Sequence, residues 1–310
     1  MIVLEDKFNT KIEYKTYVAL GSFDGLHSGH IGLISKTIEL AKSNNAKSMI
    51  YTFKEHPLMV LNRDIAPKLI MNNNTKLEIL EELSVDVVNL VPFDDEYMRM
   101  PAEVFIEKLV EYYNVVGIIV GFNFKFGYKN SGNVELLKSL SEKLGFTLHV
   151  IDPITKDGEV VSSSCIREQI KNGEVENANK LLIKPYMLDG TVVKGKQLGR
   201  ILGFPTANLK YNLDFVIPGN GVYYTIIAYE SKFYKGITNV GYNPSVGDTN
   251  NSLTIETYIL DFDKDIYGEY IKVYFIKKFR DEIKFSSLDQ LVSQLKSDKE
   301  YAEKQILEIF

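Results

Sequence analysis

Apolar positions in the first half of the chain follow two patterns that alternate along the sequence. Short apolar runs, which are candidates for strands, lie at 17–20, 46–53, 85–93, 115–121 and 146–151. Between them, apolar residues recur every three or four positions, as on one face of a helix, at 31–38, 74–84, 101–114 and 133–144. Strands that alternate with helices in this way predict an α/β fold with a parallel sheet built from right-handed crossover units.

After residue 185 the pattern becomes β-rich, with Gly, Asn, Asp and Pro in the turns between segments. Candidate strands lie in TVVKG (191–195), GVYYTIIAYE (221–230), FYKGITNVG (233–241), LTIETYILDF (253–262) and EYIKVYFIKKF (269–279). One amphipathic helix, over about 286–308, closes the chain. The second half is expected to be a small antiparallel β-barrel with a C-terminal helix. Pro185 marks the junction, so we expect two domains, 1–183 and 184–310.

Composition narrows the class of protein. The chain has 310 residues, 45% hydrophobic and 25% charged, and a net charge of −5, which argues against a general nucleic-acid binder. Its single cysteine, Cys165, cannot form an intrachain disulfide, which fits a reducing compartment. The first residues lack the features of a signal peptide, and no apolar run approaches the ~20 residues that span a bilayer. We expect a cytoplasmic protein without a membrane or nucleic-acid partner; the sequence does not indicate an oligomeric state.

The stretch GSFDGLHSGH (21–30) stands where the first buried strand ends and a helix begins. A helix N-terminus offers unpaired backbone N–H groups and the positive end of the helix dipole, which favour a phosphate. The glycines at 21, 25 and 29 allow close backbone approach and positive φ angles. The imidazoles of His27 and His30 can stabilise charge that develops on a transferring phosphoryl group.

Two other interpretations of this stretch were weighed. A zinc site is disfavoured because two histidines are too few and no Cys, His, Asp or Glu partner lies at a matching spacing. An ordinary turn with two incidental histidines accounts for the glycines but not for the position at a helix start. A phosphate site is the preferred interpretation.

Four segments of the first half resemble known signatures. GSFDGLHSGH resembles the HxGH signature of the nucleotidyltransferase superfamily, and TFKEHPLMVL (52–61) resembles the TFxPHP segment of prokaryotic FAD synthetases. GFNFKFGYKNSG (121–132) and VSSSCIR (161–167) resemble two further segments of those enzymes. The chain is thus identified as a member of the bifunctional riboflavin kinase/FAD synthetase family, which implies a Rossmann-like sheet. Glu55 departs from the pattern, because the family usually has proline there.

The resemblance assigns roles to individual residues of the first half. Arg167 is expected to hold ATP phosphates by charge-assisted hydrogen bonds; its alternative is a solvated arginine on a helix surface. Asn123 follows the carboxyl end of a buried strand, where open α/β sheets bind ligands; its alternative is a turn cap. The implied catalytic residues are His27, His30 and Arg167, the nucleotide contacts Gly21, Phe23, Asp24, Gly29, Asn123, Ser163 and Ser164, and the flavin contacts Phe53, His56, Pro57 and Phe124.

The second half carries GTVVKGKQLGRILGFPTANL (190–209), which resembles the riboflavin kinase signature nearly position for position. It lacks the spacing of a Walker-type phosphate loop. Thr206 and Asn208 offer hard oxygens that suit Mg²⁺, and the resemblance implies that they ligate the metal beside the ATP phosphates. Gly195, Gly199 and Pro205 are implied nucleotide contacts; the alternative for the proline is an ordinary β-turn.

The family's catalytic base corresponds to Glu256, whose carboxylate would take the proton of the riboflavin 5′-hydroxyl. Without the surrounding motif, a lone glutamate in a strand is more often a surface residue. Tyr258 stands where the family often has histidine. TNVGYNPSVG (238–247) resembles a family loop and contributes Asn239 as a nucleotide contact, and Arg280 is expected to border the flavin.

Together the resemblances imply two ATP-dependent reactions that require Mg²⁺. The second half would phosphorylate riboflavin to FMN, and the first half would adenylylate FMN to FAD with release of pyrophosphate. One alternative is that the first domain adenylylates another acceptor, such as a pantetheine phosphate or a nicotinamide mononucleotide. Another is a non-catalytic flavin-binding protein, which is disfavoured because His30, Arg167, Thr206 and Glu256 are all present.

Overall fold

The computed structural model describes residues 1–156, 158–195, 198–242 and 253–307. The chain forms two compact units. The first, here called the sheet unit, comprises Met1–Pro67 and Met71–Ser162; the second, the barrel unit, comprises Lys68–Ile70 and Ser163–Phe310.

The sheet unit contains a six-stranded parallel sheet, which confirms the expected fold. Its strands are β1 (Ile2–Leu4), β2 (Thr16–Leu20), β3 (Lys47–Phe53), β4 (Val87–Val91), β5 (Val115–Gly121) and β6 (Thr147–Ile151), in the order β1-β4-β3-β2-β5-β6. Its helices are α1 (Ser28–Ser43), α2 (Pro57–Leu61), α3 (Asn73–Glu82), α4 (Asp95–Met98), α5 (Ala102–Tyr113) and α6 (Val134–Leu144). A 3₁₀ turn (Tyr128–Asn130) and the hairpin of β7 (Thr155–Lys156) and β8 (Glu159–Val160) complete the unit.

Both faces of this sheet are buried, which explains the continuous apolar runs. In β2, Val18 and Leu20 pack into one hydrophobic cluster, whereas Tyr17 and Ala19 pack into a cluster on the other face. The chain first adds β3 and β4 on one side of β2 and then places β5 on the other side. The carboxyl ends of β2 and β5 therefore lie at the topological switch point, where open α/β sheets bind ligands.

The pattern did not predict β1 or the short helices α2 and α4. β1 is an edge strand of only three residues, and a run that short does not indicate a strand. Its Ile2 and Val3 side chains are 51% and 46% exposed. No helix within the described ranges is both long and apolar enough to cross a membrane.

The barrel unit contains a closed antiparallel barrel of six strands in the order β10-β13-β12-β11-β14-β9. These are β9 (Met187–Val193), β10 (Thr206–Tyr211), β11 (Gly221–Tyr229), β12 (Lys232–Tyr242), β13 (Leu253–Ile259) and β14 (Tyr270–Arg280). The helices are α7 (Ser163–Lys171), α8 (Val175–Asn179), α9 (Leu198–Ile201) and α10 (Leu288–Glu303). β10 was not predicted, because the residues after Pro205 resemble a turn; it pairs with both β9 and β13 and so closes the barrel.

Two short helices that precede the barrel pack with it. The Asn179 side chain, at the end of α8, donates a hydrogen bond to the Phe275 carbonyl and accepts one from the Tyr186 N–H, both at 2.8 Å. Gly173, between α7 and α8, has a φ of 81°, and a Cβ there would lie 2.9 Å from the Tyr223 hydroxyl and 3.0 Å from the Lys278 side chain. These contacts explain why residues 163–183 belong to the barrel unit. The boundary between the two catalytic domains, at 183/184, stays a prediction.

α10 is tied to the barrel by a bidentate ion pair. The Arg280 guanidinium at the end of β14 donates to both carboxylate oxygens of Asp298, with Nη2 to Oδ2 at 2.6 Å. Asp298 is only 2% exposed and also accepts from the Gln294 amide at 2.8 Å. A buried carboxylate with these partners fixes where the helix lies along the strand.

We predict that Asp298→Ala destabilises the barrel unit by about 3 kcal/mol, because it leaves the Arg280 charge without its partner. The control is Lys299→Ala on the same helix, whose 3.6 Å pair with Glu303 is exposed, and there we expect less than about 0.5 kcal/mol. Urea unfolding of the full chain followed by circular dichroism measures both. Equal destabilisation by the two variants would contradict the anchoring role.

Candidate active sites

The loop between β2 and α1 has an unusual backbone. Phe23, Gly25 and Leu26 have φ angles of 47°, 89° and 41°. Only glycine adopts such angles without strain, so the other two residues are held there by their surroundings. The fully buried side chains of Phe23 and Leu26 provide part of that hold.

The remaining glycines of the motif serve close packing rather than positive φ, which corrects the sequence-based expectation. A Cβ at Gly21 would lie 3.1 Å from the Phe23 ring, and a Cβ at Gly29 would lie 3.1 Å from the His27 ring. Neither glycine is among the residues with positive φ. Small residues here let the aromatic rings lie directly against the backbone.

The two histidines of the motif form one compact pair. His27 directly precedes α1 and is 5% exposed, and its ring stacks on that of His30 with centroids 3.7 Å apart and planes inclined by 21°. The Phe23 ring lies 5.2 Å from His30. Both imidazoles therefore stand at the positive end of the α1 dipole, where they can contact one anionic group together.

Asp24, in the same loop between β2 and α1, is 3% exposed. Its carboxylate accepts a hydrogen bond from the Met71 N–H at 3.2 Å. Lys76 of α3, 4% exposed, donates to the Ser22 carbonyl at 3.3 Å. Lys76 was not among the predicted residues, although its spacing from Ile79 on a helix face could have indicated a buried lysine.

At the end of β3, the predicted flavin contact Phe53 belongs to an aromatic cluster. Its ring meets Phe93 edge-on at 5.3 Å and Tyr97 edge-on at 5.9 Å. Tyr97 is anchored by a 2.8 Å hydrogen bond to the Tyr51 hydroxyl. Phe93 and Tyr97 were not predicted, because nothing in the sequence connects their segment with β3.

His56 and Pro57, the other predicted flavin contacts at this strand end, begin α2. The His56 Nδ1 atom accepts from the Leu58 N–H at 3.2 Å, and Pro57 occupies the first helical position. This geometry explains the HP pair as a helix start. Contact with a flavin stays a prediction for both residues.

The loop after β5 brings Asn123 and Phe124 to the same edge of the sheet as the histidine pair. Asn123 is exposed two residues beyond Gly121, the last residue of β5. Phe124 stacks on Phe126 with ring centroids 5.5 Å apart and planes at 14°. The placement at the switch point agrees with a ligand-binding role for this loop.

Ser163, Ser164 and Arg167 lie on α7, in the barrel unit. The Arg167 Nε donates a hydrogen bond at 2.6 Å to the carbonyl of Lys68, which belongs to the same unit. Their action together with the histidines of the sheet unit stays a prediction from the family resemblance.

The barrel unit contains a cavity of about 340 Å³ beside the start of β10. The predicted residues Gly195, Pro205, Thr206 and Asn208 line it, which brings one part of the kinase signature together. Residues 262–267, which follow β13, and Arg200 also line it. The segment 262–267 was not predicted, because its mixture of acidic and basic residues resembles an ordinary turn between strands.

Two glycines of the kinase signature lie against close neighbours, and Gly195 also lines the cavity. A Cβ at Gly195 would lie 2.4 Å from the Asn208 Nδ2 atom, and a Cβ at Gly199 would lie 2.3 Å from the Phe204 carbonyl oxygen. Both distances are shorter than real Cβ contacts. At 199 the neighbour is backbone, so a side chain would force the backbone to shift, whereas at 195 a side chain would displace the end of the Asn208 side chain. The absent side chain at 195 leaves the Asn208 amide in place at the cavity wall.

Strand register brings the predicted base to the predicted metal ligand. Glu256 of β13 pairs with Asn208 of β10 on one side and with Asn239 of β12 on the other. Paired residues of antiparallel strands point to the same face, with Cβ atoms about 5 Å apart. Thr206 is paired with Tyr258, so the residue that departs from the family pattern lies beside the other metal ligand.

Thr206 and Asn208 fit a magnesium ion by their chemistry and spacing. Residues two apart in a strand share a face, and hydroxyl and amide oxygens are hard donors. Two protein ligands leave positions for water and substrate phosphates, as Mg²⁺ prefers. The predicted loop at 238–247 is described only as far as Tyr242; its remainder lies outside the described residues. Arg280, held by Asp298, stays a prediction as a flavin contact.

Comparison with known proteins agrees with the two predicted activities. A family model for FAD synthetase matches residues 9–165, and one for riboflavin kinase matches residues 182–306. The bifunctional riboflavin kinase/FMN adenylyltransferase of Bacillus subtilis is 34% identical over 291 residues, 93% of this chain and 92% of its own. Its counterpart in Haemophilus influenzae is 35% identical, with 92% of both chains covered.

A solved structure described as a macrolide-efflux protein from Streptococcus pneumoniae is also similar. It is 30% identical to this chain, covers 98% of it and 99% of its own length, and gives a TM-score of 0.88. The fold described above is thus shared with an experimentally determined structure.

We predict that Gly195→Ala raises the Mg²⁺ concentration needed for half-maximal phosphorylation of riboflavin by about 10-fold or more, because the new Cβ displaces the Asn208 amide. The control is Lys194→Ala, an exposed neighbour that does not line the cavity, for which we expect less than about a twofold change. An unchanged Mg²⁺ requirement in Gly195→Ala would show that Asn208 does not depend on this glycine.

Proposed function

The chain belongs to the bifunctional riboflavin kinase/FMN adenylyltransferase family, and on that premise we propose how its residues divide the two reactions. The enzyme phosphorylates riboflavin to FMN with ATP and adenylylates FMN to FAD with release of pyrophosphate. The proposal assigns the kinase to 184–310 and the adenylyltransferase to 1–183. The observation that carries it is the register that sets Glu256 between Asn208 and Asn239.

In the kinase reaction, Glu256 acts as the general base. Its carboxylate takes the proton of the riboflavin 5′-hydroxyl while that oxygen forms a bond to the γ-phosphorus of ATP. The bond from the γ-phosphorus to its bridging oxygen breaks, and ADP leaves. The cavity beside β10, with Gly195, Pro205 and Asn208 in its wall, supports the placement of ATP next to this base.

Thr206 and Asn208 are the proposed magnesium ligands. Bound Mg²⁺ neutralises charge on the ATP phosphates. The two side chains orient the phosphates against the strand that carries Glu256, since Asn208 and Glu256 are paired in the register. The proposal thus gives β10 two tasks: it closes the barrel and presents the metal ligands.

In the adenylyl transfer, a phosphate oxygen of FMN attacks the α-phosphorus of ATP and pyrophosphate leaves, with no bond to the protein. His27 and His30 stabilise the charge that develops on the α-phosphate, and Arg167 pairs with the departing phosphates. The stacked histidine rings at the start of α1 support this role. Gly21, Phe23, Asp24 and Gly29 shape the loop that presents them, and Asn123, Ser163 and Ser164 are further nucleotide contacts.

FMN is the proposed acceptor at the sheet unit. Phe53, in the aromatic cluster at the end of β3, and Phe124, after β5, offer flat apolar surfaces to an isoalloxazine ring. Such surfaces favour FMN over an acceptor that lacks a large aromatic ring, such as a pantetheine phosphate. We also propose a cytoplasmic location, because a chain with a single cysteine fits a reducing compartment.

We predict that His30→Ala lowers the rate of FAD formation from FMN by about 10²- to 10³-fold, because one donor to the developing charge is lost. Riboflavin phosphorylation by the same preparation should be unchanged. The control is His149→Ala, a half-buried histidine on β6 away from the loop. Chromatographic separation of the flavins measures both reactions, and parental FAD formation in His30→Ala would refute the histidine assignment.

We predict that Glu256→Gln lowers the rate of FMN formation by about 10²- to 10⁴-fold, because an amide cannot accept the hydroxyl proton. Riboflavin binding, measured by quenching of flavin fluorescence, should persist, and FAD should still form from supplied FMN. Glu303→Gln, in an exposed pair on α10, is the control. A kinase rate that survives in Glu256→Gln would remove Glu256 as the base.

A further inference from the structure

One buried cation lies near the histidine pair and has no role in the two reactions as described so far. Lys76 is 4% exposed, and no other lysine in the described ranges falls into the buried class. It faces inward from α3 together with Thr75, Ile79 and Leu80. Lysine is almost never fully buried unless its charge is compensated, so its surroundings should show what compensates it.

The Lys76 ammonium contacts the loop that precedes α1. Its Nζ donates to the Ser22 carbonyl at 3.3 Å, and the same carbonyl accepts from the Thr52 hydroxyl of β3 at 2.9 Å. One residue beyond Phe23, the Asp24 carboxylate accepts from the Met71 N–H at 3.2 Å. The loop is therefore held at positions 22 and 24, on both sides of a residue with positive φ.

This fixation matters because the loop is strained. Phe23 and Leu26 have φ angles of 47° and 41°, which L residues keep only where their surroundings enforce them. The segment ends at His27, whose ring stacks on His30. A small change in the path of residues 22–26 would move His27, since no free segment separates them.

An apolar residue would fill the place of Lys76 without the cost of burying a charge. Burial lowers the pKa of the Lys76 ammonium, and the negative charge of Asp24 opposes that shift. The Lys76 ammonium can therefore act on the loop through its hydrogen bond to the Ser22 carbonyl and its attraction to Asp24.

We propose that Lys76 is a positioning residue for adenylyl transfer. By holding the Ser22 carbonyl and attracting Asp24, it fixes the loop path that stacks His27 on His30 at the start of α1. This inference rests on the proposed role of the two histidines. It predicts that the lysine affects catalysis on bound substrates more than substrate affinity.

The test is Lys76→Met in the full chain, which removes the charge and keeps an unbranched side chain only one heavy atom shorter. We expect kcat for FAD formation from FMN to fall by about 100-fold, as for a misplacement of catalytic groups by about 1 Å. We expect KM for FMN to change by less than about threefold. Lys36→Met, at a half-buried lysine of α1 that pairs with Glu39, is the control and should leave both parameters unchanged.

The variant Lys76→Arg distinguishes the loss of the positive charge from a failure of the sheet unit to fold. Arginine keeps the cation and its donors, so it should restore kcat to within about 10-fold of the parent. Hydrogen exchange of the β2 and β3 amides reports whether the sheet has folded in each variant. If Lys76→Met loses protection in the sheet, Lys76→Arg decides. A protected sheet with kcat within about 10-fold of the parent supports the proposal, and a protected sheet with the kcat loss expected for methionine overturns it.

A Lys76→Met protein with a protected sheet and a kcat within about threefold of the parent would also overturn the proposal. His30→Ala, assayed in parallel, distinguishes the two claims. Should His30→Ala keep its FAD synthesis, the histidine assignment fails whatever Lys76 does. Should His30→Ala lose it while Lys76→Met keeps it, only the positioning role fails.

Discussion

The pairing of β10 with both of its neighbours is the constraint on which the kinase half depends. Hydrogen bonds to β9 and β13 close the barrel, and the same register sets Asn208 opposite Glu256. A strand has a side-chain period of two, so a slip by one residue would turn Thr206 and Asn208 to the other face. The register that closes the barrel therefore also places the predicted site residues, and Thr206 and Asn208 of β10 take part in both.

In the sheet unit, a loop and not a strand positions the predicted catalytic residues. The switch in strand order between β2 and β5 opens a crevice at the carboxyl edge, and the loop after β2 must turn sharply to begin α1 there. That turn requires positive φ at non-glycine residues. Buried polar contacts to Ser22 and Asp24 hold it, so the strain lies next to the groups that act on phosphate.

Most of the architecture was predictable, because hydrophobic periodicity reports burial directly. The runs at 17–20 and 115–121 became buried strands, and the stretch at 133–144 became α6. β10 was missed because its alternation is short and follows a proline; only its pairing with two distant strands makes it a strand. Likewise, tertiary contacts that no local pattern encodes bring Phe93 to β3. The helical spacing of Lys76 from Ile79 indicates burial, but only the folded chain shows that its ammonium contacts Ser22.

The most direct test of the account is a time course with riboflavin, ATP and Mg²⁺, in which the flavins are separated by chromatography. Two sites that act in sequence in one chain predict that FMN accumulates first and that FAD appears after a lag. FMN that never becomes FAD, even when it is supplied directly, would contradict the account. The loop that leads to His27 and His30, and the aromatic residues Phe53 and Phe124, would then serve a different acceptor.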